Sequence, residues 1–209
     1  MAGGACVVTG GDRGQAHALE AITAGMLLLA SLLFALQVTA VTPLTGSTSS
    51  QHIENQQAKL AEGVLATEAE SGTVVPTLLS WNESGHFSRA ESGGFHGGGP
   101  PTAFGNALDR TLRERNIAFN VNVYFITDGG ERSRHPVQLV DLGSPSDHAS
   151  TATRSFTVYD DDVLRETNES TESTERTNTT LTEANFFAPD ADESRVYNVL
   201  EVEVVVWRM

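Results

Sequence analysis

The chain has very little cysteine and very little lysine. Cys6 is the only cysteine among 209 residues, which excludes an intramolecular disulfide and a structural zinc site built on cysteines. Lys59 is the only lysine, and 27 acidic residues against 13 basic ones give a net charge of -14. Because such a charge balance repels phosphate backbones, nucleic acid is excluded as a partner class.

The chain also lacks the motifs that position a catalytic or metal site. It contains no GxSxG nucleophile turn, no GK[ST] phosphate-binding loop and no HExxH pair. The Asp160-Asp161-Asp162 run has neither the glycine nor the terminal glutamate of an EF-hand loop. Ser146, Asp147 and His148 are adjacent in sequence, which is not evidence of a catalytic triad. The six histidines, at positions 17, 52, 86, 96, 135 and 148, are scattered along the chain. We therefore expect no catalysis, no cofactor and no metal site.

Charge is absent from one long stretch, Ala21 to Val41, which reads AITAGMLLLASLLFALQVTAV. Its 21 residues, at about 1.5 Å each in a helix, are enough to cross a hydrocarbon core of about 30 Å. A helix that is apolar on all sides is seldom buried in a protein of this size. The stretch predicts a single membrane-spanning helix.

The flanking sequence divides the chain into three parts. Residues 1–14, small and glycine-rich, are interpreted as a leader, and residues 15–46 as the spanning helix with a kink at Pro43 and Gly46. Residues 47–209 are predicted to form an acidic outer domain. It should begin with a second helix over 51–70, whose apolar face comprises Ile53, Leu60, Ala61, Val64 and Leu65.

The outer domain should combine helices with an antiparallel sheet. A third, short helix is predicted over 104–116, and the region around 84–102, rich in glycine and proline, is predicted to be a mobile loop. Period-two alternation then predicts strands over 118–126, 136–141, 154–159 and 196–207. Helices followed by strands favour an α+β fold in which a helix packs on a small antiparallel sheet.

A second mobile loop is predicted over about 163–184. Within it, residues 165–182 contain Leu181 as their one apolar residue and offer nothing to bury. The same segment carries two glycosylation sequons, at Asn168 and Asn178, and a third lies at Asn82. If these sequons are used, the domain lies outside the cell.

The segment RGQAHALEAITAG, residues 13–25, resembles the amino terminus of archaeal type IV pilin and archaellin precursors. In that family a basic residue and a glycine end a short leader, and glutamine is often the first mature residue. The resemblance implies that a prepilin-type peptidase cuts at Arg13-Gly14-Gln15. It also implies that Glu20, just before the apolar helix, guides the subunit into a filament. The same segment, with the SSQHIENQQ region after the span, is similar to uncharacterised membrane-anchored proteins of haloarchaea.

The spacing departs from the commonest pilin pattern by one residue. A cut between Gly14 and Gln15 makes Glu20 the sixth mature residue, whereas the family usually has its glutamate at the fifth. Three explanations stay open: the cut falls after Gln15, the pattern is looser in this chain, or the resemblance to pilins is partial. A carboxylate at the edge of hydrocarbon is costly unless it is paired or reaches the headgroups, and a new amino terminus would be a suitable partner. Glu20 therefore either guides docking into a bundle or is simply a charge at the water interface.

These observations predict a single-pass, pilin-like protein of the cell membrane with its C-terminal domain extracellular. Its role would be structural, adhesive or in filament assembly, and its partners would be membrane lipid, other pilin-like subunits and the peptidase. The acidic, lysine-poor composition resembles that of proteins from extreme halophiles. Two alternatives stay open: a monomeric, membrane-tethered binding domain, and a secreted protein cleaved after Ala40.

Overall fold

The computed structural model describes residues 11–82, 84–91, 93–168, 170–191 and 194–209, with side chains described at 17–37 and, within those ranges, from 51 onward. The chain divides into two compact units, the first ending at Ser50 and the second comprising Gln51–Met209. Residues 1–10 of the predicted leader, including Cys6, lie outside the described residues. The fold is α+β, with an apolar N-terminal helix and antiparallel sheets.

The first helix, α1, runs from Gly11 to Glu70 and belongs to both units. It begins inside the predicted leader and includes the two predicted helices, so the expected interruption at Pro43 and Gly46 is not seen as a gap in the helix. Proline removes one backbone hydrogen bond and bends a helix, yet its φ angle suits helical geometry, so a helix can continue through it. The predicted second helix is thus the C-terminal part of α1.

Within the second unit, α1 contributes one apolar face to the hydrophobic core. Ala61, Val64 and Leu65 are buried, as the helical periodicity predicts, and Leu60 packs against them at the margin. The helix ends at Glu70, and Gly72 in the turn that follows has a φ of +69°, in the left-handed region that favours glycine. A short helix, α2 (Val74–Leu78), follows and buries Val74 and Leu78 in the same core.

The third helix, α3 (Ala103–Thr111), confirms the prediction over 104–116. Its N-cap Thr102 accepts a hydrogen bond from the backbone N–H of Gly105, and Phe104 and Leu108 are buried. A 3-10 turn, Arg113–Arg115, continues it to Asn116, which adopts a left-handed conformation with φ of 59°. The chain then enters the sheet.

The main sheet has four antiparallel strands in the order β2, β1, β6, β3. They are β1 (Ile117–Tyr124), β2 (Val137–Asp141), β3 (Ser150–Tyr159) and β6 (Val196–Arg208). All four lie where the alternating pattern predicts strands. On β1 and β6 the alternate apolar side chains are fully buried, namely Phe119, Val121, Val123, Leu200, Val202, Val204 and Val206. One face of the sheet therefore forms the core.

The prediction of a mobile loop over 163–184 is wrong for most of its length. Within it, β4 (Val163–Asn168) and β5 (Ser173–Thr180) pair antiparallel as a hairpin in a separate two-stranded sheet. β-Branched threonines suit strands even where few apolar residues are present. Leu164 and Leu181 are buried at its base, and Arg165 donates its backbone N–H to the Leu79 carbonyl at 2.9 Å. These two leucines and one hydrogen bond connect a polar hairpin to the core.

The described residues of the glycine-rich region at 84–102 form no helix and none of the strands β1 to β6, but they pack against the core and the main sheet. Phe87 is buried, and Phe95 forms a parallel bridge with Val140 of β2. The N–H of Phe95 donates to the Leu139 carbonyl, and its own carbonyl accepts from the N–H of Asp141, both at 2.9 Å. This region thus covers part of one edge of the main sheet.

Candidate functional site

The apolar part of α1 is a candidate membrane anchor. Within the described residues, His17–Gln37 is the one helical segment long and apolar enough to cross a membrane. None of its side chains is buried in the structure, and its leucines are between 58% and 72% exposed. Exposed apolar surface on this scale is stable in lipid or against other apolar helices, and unfavourable in water.

Glu20 lies inside this segment and is the residue that the pilin resemblance singles out. Its Oε2 is 3.6 Å from Nδ1 of His17, and both side chains are about four-fifths exposed. The contact is an i, i+3 pair on one helix face. The carboxylate is thus accessible to a group from outside the chain.

The predicted processing residues Arg13, Gly14 and Gln15 lie in the first turns of α1. Their side chains are outside what the structure describes, so the processing prediction stays a prediction.

A polar cleft of about 580 Å³ lies beside the β4–β5 hairpin, and we name it the arginine cleft. It is lined by a tryptophan, two arginines, a glutamate, a leucine and several hydroxyl and amide side chains: Trp81, Asn82, Ser84, Ser88, Arg89, Leu164, Arg165, Glu166, Thr167, Thr177 and Thr179. Sequence reasoning missed this site because it placed both contributing segments in mobile loops. Its volume is in the range of small-molecule pockets.

Hydrogen bonds within the cleft hold its two segments together. Arg89 donates from Nε to the Thr167 carbonyl at 3.2 Å, which links the region at 84–102 to β4. Thr177 donates its hydroxyl proton to the Leu164 carbonyl at 2.8 Å across the hairpin. The cleft wall is thus fixed by bonds between segments nearly 80 residues apart in sequence.

Arg165 is a partly buried arginine in this cleft. Burial lowers the pKa of its guanidinium, the nearby charge of Arg176 lowers it further, and Asp162 opposes both effects. Its Nη1 lies 3.4 Å from the carbonyl and 3.3 Å from the hydroxyl of Thr174, which are long contacts. Nε of Arg165 is buried without a hydrogen-bond partner in the described part of the chain.

A second cleft, of about 490 Å³, lies where the glycine run 97–99 packs on α3. Asp109 of α3 accepts a hydrogen bond from the Gly99 N–H at 3.1 Å and pairs with Arg113 at 3.8 Å. Burial raises the pKa of the Asp109 carboxyl, and the Gly99 hydrogen bond and the Arg113 charge act in the opposite direction. This arrangement fixes the glycine run on the helix.

The remaining candidate residues from the sequence do not form a catalytic or metal site among the described residues. His148 Nδ1 lies 2.8 Å from Oε1 of Glu54 on α1, which gives the histidine a carboxylate partner outside the Ser146-Asp147-His148 run. The aspartates 160–162 form the turn between β3 and β4, where Asp162 accepts the backbone N–H of Tyr159 at 2.9 Å. Among the described residues, no three His, Cys, Asp or Glu side chains are positioned to hold a metal ion.

The three sequons lie near the arginine cleft, although two of them are far from the third in sequence. Asn82 lines the cleft, Asn168 follows the lining residue Thr167, and Asn178 lies between Thr177 and Thr179. Glycosylation needs the side-chain nitrogen of asparagine. Nδ2 of Asn168 donates to Glu175 at 3.2 Å, whereas Asn178 is exposed. The middle residues of the sequons at Asn82 and Asn168 lie outside the described residues.

We predict that Asn178 carries a glycan when the protein is produced in its native host, and that it is modified more completely than Asn168. Intact-mass measurement of the native protein beside an Asn178→Gln variant checks this, because the variant should lose one glycan mass. Native protein with the mass of the bare chain would contradict the prediction.

Comparison with known proteins identifies the family of this chain but not its activity. Residues 13–206 match the model of a family of unknown function, DUF7288. The chain belongs to this family. No curated protein and no solved structure matches it. The match starts at Arg13 and therefore covers both the apolar helix and the folded second unit.

Proposed function

We propose that this DUF7288 protein is a membrane-anchored, pilin-like surface subunit with a structural, adhesive or filament-assembly role and no catalytic activity. The observation that carries the proposal is the exposed apolar segment His17–Gln37, which belongs to the same chain as a well-packed α+β unit. Such a helix needs lipid before assembly and other apolar helices afterwards. Both environments are available to a pilin-like subunit.

The family match supports treating the anchor and the domain as one functional unit. A match restricted to Gln51–Met209 would have suggested a domain with an incidental anchor, whereas the matched region begins at Arg13. It includes the Arg13-Gly14-Gln15 motif and Glu20, the two features on which the resemblance to pilins rests. The peptidase, membrane lipid and further pilin-like subunits are the partners that this proposal implies.

The distribution of basic residues supports an orientation with the domain outside the cell. Arg13 is the one basic residue before the span, and no lysine or arginine follows the span until Lys59. Basic residues next to a span favour the cytoplasmic side. In this orientation all three sequons are outside, where a surface protein would carry its glycans.

Sequencing the amino terminus of the native protein tests the proposal. We expect the mature chain to begin at Gln15 or one residue later and to stay in the membrane fraction. Gly14→Val should retain the leader, because the peptidase must accept a small residue just before the cut. A native chain beginning near Val41 and found in the medium would show cleavage by ordinary signal peptidase. Retention of Met1 or Ala2 would show a plain tethered domain, and either result would overturn the pilin-like proposal.

A further inference from the structure

One edge of the main sheet is covered and the other is open. At the β2 edge, Phe95 forms a bridge with Val140, and its backbone hydrogen bonds use groups of Leu139 and Asp141. At the opposite edge, β3 pairs with β6 alone. Within the described part of the chain, no hydrogen bond joins residues 151–158 to a segment other than β6. The outer backbone groups of β3 are thus a template on which another strand can pair.

β3 has the length and regularity that such pairing requires. It comprises ten residues, Ser150–Tyr159, and its register with β6 is regular up to a shift between Val158 and Tyr159. On the sheet face turned away from the core, the residues at 151, 153, 155 and 157 are serine or threonine, and all four are exposed. Lysine and proline, which commonly protect edge strands, are absent from its sequence.

The charges of the chain favour a second copy of the same strand as the partner. The protein has a net charge of -14, so most approaches of two copies are repulsive. β3 contains no acidic residue, and Arg154 is its one charged side chain. Because the β2 edge is covered, a second copy extends the main sheet by pairing its own β3, and a contact of one surface with itself is closed by a two-fold axis.

Arg154 limits the register of this pairing. Opposite residues of an antiparallel pair lie on the same face, so the two-fold axis must pass beside one residue of β3. Two registers use nearly the whole strand, one centred on Arg154 and the other on Ser155. The first sets two guanidinium groups against each other, which is destabilising. The second sets Arg154 opposite Phe156 of the second copy, and an arginine beside an aromatic ring is stabilising.

We propose that two copies of this protein associate through their β3 strands, which pair antiparallel about Ser155 and join the two main sheets into one. Thr153 then lies opposite Thr157 of the second copy, a pair that can form a hydrogen bond across the strands. This interface goes beyond the proposed function and uses neither the processing motif nor Glu20. Amino-terminal sequencing can therefore contradict the pilin-like proposal while the β3 interface holds, and the reverse.

The test is disulfide trapping in the 209-residue chain, in detergent micelles at molar salt, which screens the net charge. Cys6 is first replaced by serine, so that an introduced cysteine is the only one. Ser155→Cys then sets two cysteines opposite each other on the two-fold axis. Thr151→Cys is the matched control, because Thr151 is exposed on the same face but would lie opposite Tyr159. Its two copies would be about 27 Å apart, at about 3.4 Å per residue.

We expect at least about tenfold more disulfide-linked dimer from Ser155→Cys than from Thr151→Cys, because cysteines whose Cα atoms are more than about 7 Å apart cannot be bridged. Light scattering without oxidation gives a second readout. Ser155→Lys should weaken the dimer by about threefold to fivefold, as like charges directly opposite each other would, whereas Thr151→Lys should leave it unchanged. Both positions are exposed, and equal thermal midpoints would show that both lysine variants fold.

A chain that stays monomeric at every concentration would overturn the proposal. Equal cross-linking of the two cysteine variants would overturn it as well, since dimers held together by α1 alone give no preference for Ser155 over Thr151. Equal dimer fractions for Ser155→Lys and Thr151→Lys would show that the two copies meet elsewhere.

Discussion

Replacing Glu20 with alanine should leave the protein processed and anchored but should reduce its incorporation into filaments by about tenfold or more. The side chain is exposed on the apolar helix, with His17 at 3.6 Å as its neighbour within the chain. On entry into a bundle of apolar helices this carboxylate would lose water and need a positive partner, for which the new amino terminus is suited. A tenfold change corresponds to about 1.4 kcal/mol, well within the effect of breaking a desolvated charge pair.

The assembled fraction is measured by isolating surface filaments and comparing them with the membrane pool. Glu20→Gln separates charge from shape and should behave like Glu20→Ala. Glu62→Ala is the matched control, because Glu62 is an exposed glutamate on the same helix but outside the span. If Glu20→Ala and Glu62→Ala assemble equally well, Glu20 has no role in docking and is a charge at the water interface.

The elements that sequence reasoning placed correctly are those in which burial imposes a period. Val202, Val204 and Val206 alternate with less buried residues on β6, so period two was visible in the sequence. On α1, Ala61, Val64 and Leu65 recur at helical spacing for the same reason. In both elements one face packs against the core, so apolar residues recur at the period of that element.

The sequence of the β4–β5 hairpin shows no such hydrophobic periodicity. Both of its faces are largely polar, so its threonines and charged residues show no apolar alternation, and their low hydrophobicity predicts a mobile loop. Its connection to the core depends on Leu164 and Leu181, at its two ends. The propensity of threonine for strands was the signal that could have identified it.

The arginine cleft could not be predicted from sequence for a related reason. Its walls come from residues 81–89 and from the hairpin, and the opposition of Arg165 to Arg176 depends on strand register. Register in a hairpin without a buried face is not specified by hydrophobic pattern. At Pro43 the opposite holds: proline chemistry predicts a break, whereas α1 continues through this position.

Gly105→Ala should destabilise the second unit by about 3 kcal/mol, the upper end of the range for overpacking. Gly105 is buried in α3, and a Cβ atom there would lie 1.9 Å from the Pro100 carbonyl oxygen and 2.7 Å from the Pro100 nitrogen. Both obstacles are backbone atoms, so no side chain can rotate away. The loop would have to move, and its hydrogen bond from Gly99 to Asp109 would move with it.

Gly63→Ala is the matched control, since Gly63 is also a helical glycine of the second unit, but a Cβ atom added there would have no neighbouring atom within 4 Å. Alanine there should stabilise the protein by about 0.5–1 kcal/mol, because glycine is the poorer helix former. Since 1 kcal/mol shifts the midpoint of a domain of this size by about 2–4 °C, thermal unfolding in micelles should show a loss of about 6–12 °C for Gly105→Ala and a small gain for Gly63→Ala. Equal midpoints for the two variants would mean that the Pro100 backbone does not pack against Gly105.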